Sequence, residues 1–437
     1  MYVTPKTRKM FRYFTLNAIL ILLMSACSSL SETEPITYIP CENGFSENYP
    51  CTNVDLYAVL TPEQLLGERL NDIWGWTDPE TGREYALVGL TDGVTFVDVS
   101  IPSEPLVVGK LREPAAASKK NGTLANHEDA GFKGASAWRD LKVYKNHLYV
   151  VSEQQNHGLQ IFDLTVLRDV ENPPVFFEDD ARYTLFDNAH NIAINEDTGY
   201  AYVVGITSGE VCSENGGLHI INIQSPQQPD FSGCYFNKNA GGITRDGYIH
   251  DTQCTMYNGP DENYLGEEIC FSSSETVFQI TNVSDKSALK TIALESFEGS
   301  GYIHQGWLTE DHKYFFMNDE GDERRFGHNT RTYIWNLENL DSPELTGFYE
   351  HETRGVDHNL YIHGGFMYQA NYTAGLRILD VSNPEPGQII EAGFFDTTPD
   401  SNEPIFSGLW SVYPWFTDHK IVVSDIDNGL FVLRFEP

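Results

Sequence analysis

The chain has 437 residues, of which 41% are hydrophobic and 13% aromatic, so it can bury a large core. Its 63 Asp and Glu residues outnumber 28 Lys and Arg and give a formal net charge of −35. This balance argues against a nucleic-acid partner and against docking on anionic lipid, because both need clustered basic residues.

The N-terminus has the pattern of a signal peptide over residues 1–26. A basic start precedes the apolar run Phe14–Met24, which is too short to cross a membrane as a helix. Ser25 and Ala26 directly before Cys27 resemble the lipobox of bacterial lipoproteins. The resemblance implies that Cys27 carries a lipid and that the protein touches the membrane only through this anchor. Ser28 implies the outer membrane or cell surface; an ordinary signal peptide is the alternative.

Residues 27–53 are predicted to form a tether with a small disulfide loop. The even number of cysteines after Cys27 favours disulfides in an exported chain. Many pairings are open, and proximity alone favours Cys41–Cys51, Cys212–Cys234 and Cys254–Cys270.

An internal repeat dominates the rest of the chain. Seven β-runs, from "GVTFVDVS" (93–100) to "GLFVLRFE" (429–436), each follow another β-run and a third short segment. Such repeats of about four strands predict an all-β fold, a seven-bladed β-propeller over residues 54–437. The last repeat is one strand short, and "VDLYAVL" (54–60) is predicted to supply that strand and close the ring.

Several non-repetitive stretches carry a family likeness. With "NDIWGWTDPETGREYALVGLTDGVTFVDVS", "GYIHQGWLTEDHKYF" and "ANYTAGLRILDVSNP", the chain resembles the choice-of-anchor B family, whose repeats resemble LVIVD repeats. The resemblance runs from about Leu70 to Leu433. It implies a bacterial surface or secreted propeller joined to an anchor, and it brings no catalytic residues with it.

The first strand of each propeller blade lines the central channel, so residues that begin these strands should meet at one mouth. Aligning the third segments places one residue of each repeat at this position: Trp74, Trp138, His190, His250, His304, His358 and Trp410. Four imidazoles from consecutive blades predict a transition-metal site. The competing interpretation, favoured by the sequence alone, is that each His bonds to the backbone of a neighbouring blade.

Further candidates lie close to this position in the sequence. Residues expected to contact a ligand at the mouth are Trp74, Trp138, Arg139, Asp251, Asp357 and Trp410. The acidic segment 318–324 could bind calcium through oxygen ligands, but a solvated turn is the preferred interpretation.

These features predict a binding or interaction module at the cell surface that recognises an unidentified protein or glycan. The alternative is a metal-dependent enzyme, a hydrolase, lyase or oxidase, with His190, His250, His304 and His358 as ligands. A purely structural envelope protein is the third hypothesis.

Overall fold

The computed structural model describes residues 37–114 and 136–437. Seven sheets surround one axis, because their innermost strands contact one another in a closed cycle. From the channel outward, blade 1 consists of Leu70–Thr77, Glu84–Leu90, Gly93–Asp98 and Leu106–Arg112, and blade 2 of Arg139–Tyr144, His147–Ser152, Leu159–Asp163 and Ala181–Tyr183. Blade 3 consists of Asn191–Asn195, Tyr200–Val204, Leu218–Asn222 and Asp230–Tyr235, and blade 4 of Asp251–Met256, Glu268–Ser274, Val277–Asn282 and Lys290–Glu295.

Blades 5 to 7 follow the same plan. Their strands are Ile303–Leu308, Tyr314–Asp319, Arg331–Asn336 and Glu344–Glu350; Leu360–His363, Phe366–Ala370, Leu376–Asp380 and Ile390–Phe395; and Leu409–Tyr413, Lys420–Asp425, Gly429–Phe435 and Val54–Leu60. A short strand, Val175–Phe177, extends blade 1 in parallel, and Phe186–Asn188 pairs with Ser208–Gly209. Helical structure in the described residues is limited to Asp322–Phe326 and the 3₁₀ turns Leu164–Asp169 and Glu262–Tyr264.

Each sheet is covered on both faces by its neighbours, which explains the wholly apolar inner runs. Every residue of Glu84–Leu90 is buried, for example. The core lies between blades: Ile73 and Val88 of blade 1 pack in one cluster with Val432 of blade 7. The predicted all-β, seven-bladed propeller is therefore confirmed.

The ring is closed by the N-terminal strand, as predicted. Val54–Leu60 pairs antiparallel with Gly429–Phe435 and places Leu56 opposite Leu433. The seventh blade thus takes its outer strand from the beginning of the chain and its three inner strands from the end.

The part of the predicted tether that the structure describes packs on the propeller instead. The hairpin of Phe45–Ser46 and Tyr49–Thr52 adds to the outer edge of blade 6, where Cys51 faces Phe395. Cys51 is buried, and the rings of Tyr49 and Phe395 lie 5.3 Å apart. An open sheet edge and an apolar surface therefore hold this segment against the ring.

The six cysteines after Cys27 pair as proximity suggested: Cys41–Cys51, Cys212–Cys234 and Cys254–Cys270. Residues 1–26, Cys27 and its lipid lie outside the described residues. Among residues 37–114 and 136–437, no helix is both long and apolar enough to cross a membrane.

Candidate metal centre

The four channel histidines form a continuous arc at one mouth of the channel. Each lies at the start of the inner strand of one of blades 3 to 6. Successive ring centroids are 4.1 Å apart for His190 and His250, 4.6 Å for His250 and His304, and 4.3 Å for His304 and His358. The structure thus brings together all four residues that the repeat alignment selected.

Three of these imidazoles are held from outside the arc through Nδ1. The outer partners are Glu153 Oε1 at 2.7 Å for His190, the Tyr302 hydroxyl at 2.7 Å for His250, and the Trp410 carbonyl at 2.6 Å for His358. A carboxylate or carbonyl can only accept, so Nδ1 of His190 and His358 carries the proton and Nε2 of the neutral ring keeps its lone pair. Ligating histidines in metal sites are oriented by such outer partners.

The Nε2 atoms point into the arc, where Glu320 joins them. His190 and His250 are hydrogen-bonded through these atoms at 3.1 Å, and since His190 has its proton on Nδ1, the Nε2–H of His250 donates to Nε2 of His190. Glu320, which directly follows the strand Tyr314–Asp319, sets its two oxygens 3.8 Å from His304 Nε2 and 3.7 Å from His358 Nε2. Ligand atoms at about 2.0–2.2 Å from one ion lie about 3–4 Å apart, so these separations suit a shared cation.

His250, His304 and Glu320 make the tightest group. One ligand atom from each lies within 4.8 Å of the others. The Nδ1 atom of His304 is buried without a hydrogen-bond partner among the described residues, and its Nε2 is too far from Glu320 for a hydrogen bond. An imidazole left unsatisfied in this way costs stability, and a bound cation would remove part of that cost.

The electrostatics keep two of the four imidazoles neutral, those of His304 and His358. Burial, with the neighbouring imidazoles, holds the pKa of His304 well below its usual range, and burial lowers the pKa of His358 to about 3. Burial by itself would lower the pKa of His190. The hydrogen bond to Glu153 and the charge of that residue have the larger effect, so the pKa of His190 lies above its ordinary value. Burial raises the pKa of Glu320 to about 7 although the Tyr372 hydroxyl donates to it at 2.7 Å.

A cavity of about 10 Å³ lies among His190, His304 and His358. That is close to the minimum room for a single water molecule. The cavity therefore fits an ion or a water, whereas an organic substrate does not fit.

Trp410 and Trp138 complete this mouth on the side away from His250. The Trp410 ring lies 4.6 Å from that of His358, and Trp138 stacks on Trp410 at 4.5 Å. These two predicted mouth residues are in place and give the arc an apolar wall.

Arg139 also lines the small cavity at this mouth. Its guanidinium is fully buried and donates to the Leu90 carbonyl at 2.7 Å, to His157 Nε2 at 3.0 Å and to Glu113 at 2.9 Å. These bonds join blades 1 and 2, and contact of Arg139 with a ligand stays a prediction.

Trp74 belongs to the opposite mouth of the channel. A bulge between Leu70 and Ile73 shifts the register of blade 1. The Asp72 carboxylate accepts a hydrogen bond from the Leu141 amide of the next blade, and the Asp140 carboxylate accepts one from the Ile192 amide of the blade after that. Asp72, and not Gly75, therefore holds the repeat position next to the channel mouth in blade 1. The sequence alignment therefore set Trp74 three residues too far along.

Asp251 leaves the histidine mouth, whereas Asp357 stays beside it. Asp251 lines the cavity at the opposite mouth, and burial raises its pKa to about 7. Asp357 is fully buried and accepts a 3.4 Å hydrogen bond from Gln369. Its pKa is raised by burial and by the charges of the acidic segment that contains Glu320.

The acidic segment 318–324 is not a solvated turn. Asp319, Asp322 and Glu323 are buried. Asp319 accepts from the amides of Gly301, Tyr302 and Gly321. These bonds hold the segment beside the histidine mouth and thereby position Glu320. The repeat alignment compared only residues that begin first strands, so it missed Glu320, which follows a second strand.

Comparisons with known proteins identify a similar repeat and a similar structure. The family model described as the LVIVD repeat matches residues 83–112 and 355–397, which lie in blades 1 and 6, so two stretches of this β-propeller match LVIVD repeats. A similar solved structure is the β-propeller domain of Cps50 (Swd1) from Myceliophteria thermophila. It shows 11% identity and a TM-score of 0.49, and covers 81% of this chain and 94% of that chain. A comparison with curated protein sequences gives no match.

Proposed function

We propose that this LVIVD-repeat propeller is an envelope binding module that holds a transition-metal ion at the histidine mouth of its channel. The quoted repeat stretches support its assignment to the choice-of-anchor B type, with the lipid on Cys27 as anchor. The metal ligands are His250, His304 and Glu320, flanked by His190 and His358.

One observation carries this proposal: His304 and His358 direct Nε2 at the two oxygens of Glu320, at 3.8 Å and 3.7 Å, which is too far for a hydrogen bond and suits a shared ion. His190 and His250 bond to each other through Nε2, and a metal on His250 would replace that bond. Nitrogen and carboxylate ligands of this kind bind zinc and related ions. Because His250 lies in blade 4 and His304 and Glu320 belong to blade 5, the ion would also join neighbouring blades.

The burial of the ligands favours binding over catalysis. A metal-dependent enzyme needs an open coordination position that a substrate can reach. His250 and His304 are only 5% and 2% exposed. The enzyme hypothesis is therefore the weaker of the two.

The test is the metal content of mature protein purified without chelators or a histidine tag, followed by zinc titration. We expect about one ion per chain in the parent and at least a tenfold loss of affinity in His304→Gln and Glu320→Gln, roughly the effect of losing one ligand. His219→Gln serves as the control, since His219 is buried far from the arc and bonds to the Tyr183 hydroxyl.

Two results would overturn the proposal. One is a parent without stoichiometric metal even after reconstitution. The other is unchanged metal affinity in a folded His304→Gln/Glu320→Gln double variant.

A further inference from the structure

The opposite mouth of the channel contains a second and much larger cavity, of about 390 Å³. This volume is within the range of about 300–1,000 Å³ that is usual for small-molecule sites. Its walls are the far ends of the inner strands and the turn after Leu409–Tyr413. It shares no side chain with the histidine arc.

One wall of this cavity is aromatic. Five rings from blades 1, 5, 6 and 7 form it: Trp74, Trp307, Tyr361, Tyr413 and Trp415. Trp415 is central, with ring centroids 5.4 Å from Trp74, 5.2 Å from Tyr361 and 5.1 Å from Tyr413. These contacts are tilted or edge-to-face, so none of them covers one ring face with another. Trp74, Trp307 and Trp415 also remain partly exposed to solvent.

A glycine makes room for this wall. A Cβ atom at Gly75 would lie 2.1 Å from the ring of Tyr413. The absent side chain lets Tyr413 lie against blade 1 and brings the rings of blades 1 and 7 together. Small-molecule sites are concave and are lined mainly by hydrophobic and aromatic side chains, as this wall is.

The facing wall is polar and comes from blades 2, 3 and 4. Its side chains include Lys142, Asn195, Glu196, Asp251, Gln253 and Thr255. Gln253 is fixed by accepting from the Leu308 amide at 2.8 Å. Lys142 donates to Asp140 at 2.6 Å and sets its ammonium 4.5 Å above the ring of Trp74.

The charges select the class of ligand. The Lys142 ammonium already occupies the face of Trp74 and would repel a second cation, which weakens the case for an aromatic cage around an ammonium group. Asp251 and Glu196 disfavour an anion. A flat aromatic wall opposite amides, hydroxyls and carboxylates instead suits a neutral ring with one apolar C–H face and hydroxyls at its rim.

We propose that this cavity binds a neutral pyranose residue of a glycan, with the apolar face of the sugar on Trp415 and its hydroxyls toward Gln253 and Asp251. The proposal concerns a different site from the metal centre and does not depend on it.

The test uses methyl glycosides of glucose, galactose, mannose and N-acetylglucosamine as probes. Saturation-transfer NMR detects binding to the full mature chain, and calorimetry measures the affinity. We expect at least one glycoside to bind saturably, with affinity reduced at least about tenfold in Trp415→Ala. Phe348→Ala, which removes an exposed ring on the outer strand of blade 5, should bind within about twofold of the parent. Chelator-treated protein should bind equally well, which separates this site from the metal proposal.

Three results would overturn the inference: no glycoside binds, binding survives unchanged in Trp415→Ala, or tetramethylammonium binds where no glycoside does. Circular dichroism establishes that each variant is folded. If Trp415→Ala does not fold, Gln253→Ala takes its place with the same expected loss.

Discussion

Single buried histidines in this propeller play two different parts. Those of the arc keep one nitrogen directed at a shared centre. His157 instead has both nitrogens engaged, with Nδ1 2.8 Å from the Gly158 carbonyl and Nε2 3.0 Å from Arg139 Nη1. Since the carbonyl accepts and the guanidinium donates, His157 is the neutral Nδ1–H tautomer.

This pairing makes stability depend on pH through one residue. Burial, together with the charge of Arg139, lowers the pKa of His157 to about 3, against about 6.5 in an unfolded chain. As pH falls below 6.5, His157 binds a proton in the unfolded chain but not in the folded protein, so the free energy of unfolding decreases. That loss amounts to about 2 kcal/mol between pH 7 and pH 5.

We therefore expect His157→Gln to lose less free energy of unfolding than the parent when pH is lowered from 7 to 5. Chemical denaturation at the two pH values measures this difference. The exposed His363→Gln should behave like the parent. An unchanged pH dependence in His157→Gln would show that its protonation does not differ between the folded and unfolded states.

At the residue scale, the sequence predicted the arc but not its carboxylate. The four histidines occupy one repeat position, so alignment alone could place them together. Glu320 directly follows a second strand, at the position that Glu153 holds in blade 2 and Glu275 holds in blade 4. Alignment of the first strands alone does not examine that position, so it missed the carboxylate.

At the scale of strands, a layer of polar side chains holds the inner strands together. Asp140 accepts from the Ile192 amide at 2.7 Å. Gln305 accepts from the Leu360 amide at 3.0 Å and donates to the Leu360 carbonyl at 3.1 Å. Inner strands of different blades belong to separate sheets, so these side chains provide bonds between sheets that the backbone ladders do not.

Replacing Gln305 by Met should show how much this layer contributes. The change keeps the volume but leaves the buried amide and carbonyl of Leu360 unpaired, at about 1–3 kcal/mol each. We expect the free energy of unfolding to fall by about 2–4 kcal/mol in urea denaturation. The exposed Gln228→Met should change it by less than about 0.5 kcal/mol. Equal stability of Gln305→Met and the parent would mean that apolar packing alone holds the blades together.

The strand register is where sequence reasoning failed. Period and composition predicted the number of blades and the order of strands. The bulge in Leu70–Thr77 adds residues before Trp74, and the sequence gives no sign of it. Because successive side chains of a strand alternate between faces and advance along the channel, this shift moved Trp74 from one mouth to the other.

At the scale of the whole molecule, stability depends on joining the two ends of the ring. Val54 and Leu56 are buried in one cluster with Phe431 and Leu433. Removing the N-terminal strand would leave the last strand with an unpaired edge and would expose this cluster.

We expect deletion of residues 37–60 from the mature chain to lower the thermal midpoint sharply or to cause aggregation. A synthetic peptide of residues 37–60 added in trans should raise the midpoint as its concentration increases, with the logarithm of that concentration, because it binds only the folded ring. Differential scanning calorimetry measures both effects. A deletion variant that is as stable as the parent would show that three strands suffice for the seventh blade.

The closure also relates folding to the order of synthesis. The strand Val54–Leu60 leaves the ribosome early, and its partner Gly429–Phe435 leaves it after almost all the rest. We expect Val54–Leu60 to keep an unpaired edge until Phe435 has been synthesised, and an unpaired edge promotes aggregation or chaperone binding. A chain terminated before Phe435 cannot complete its ring, so closure of the propeller requires that both of these strands have been synthesised.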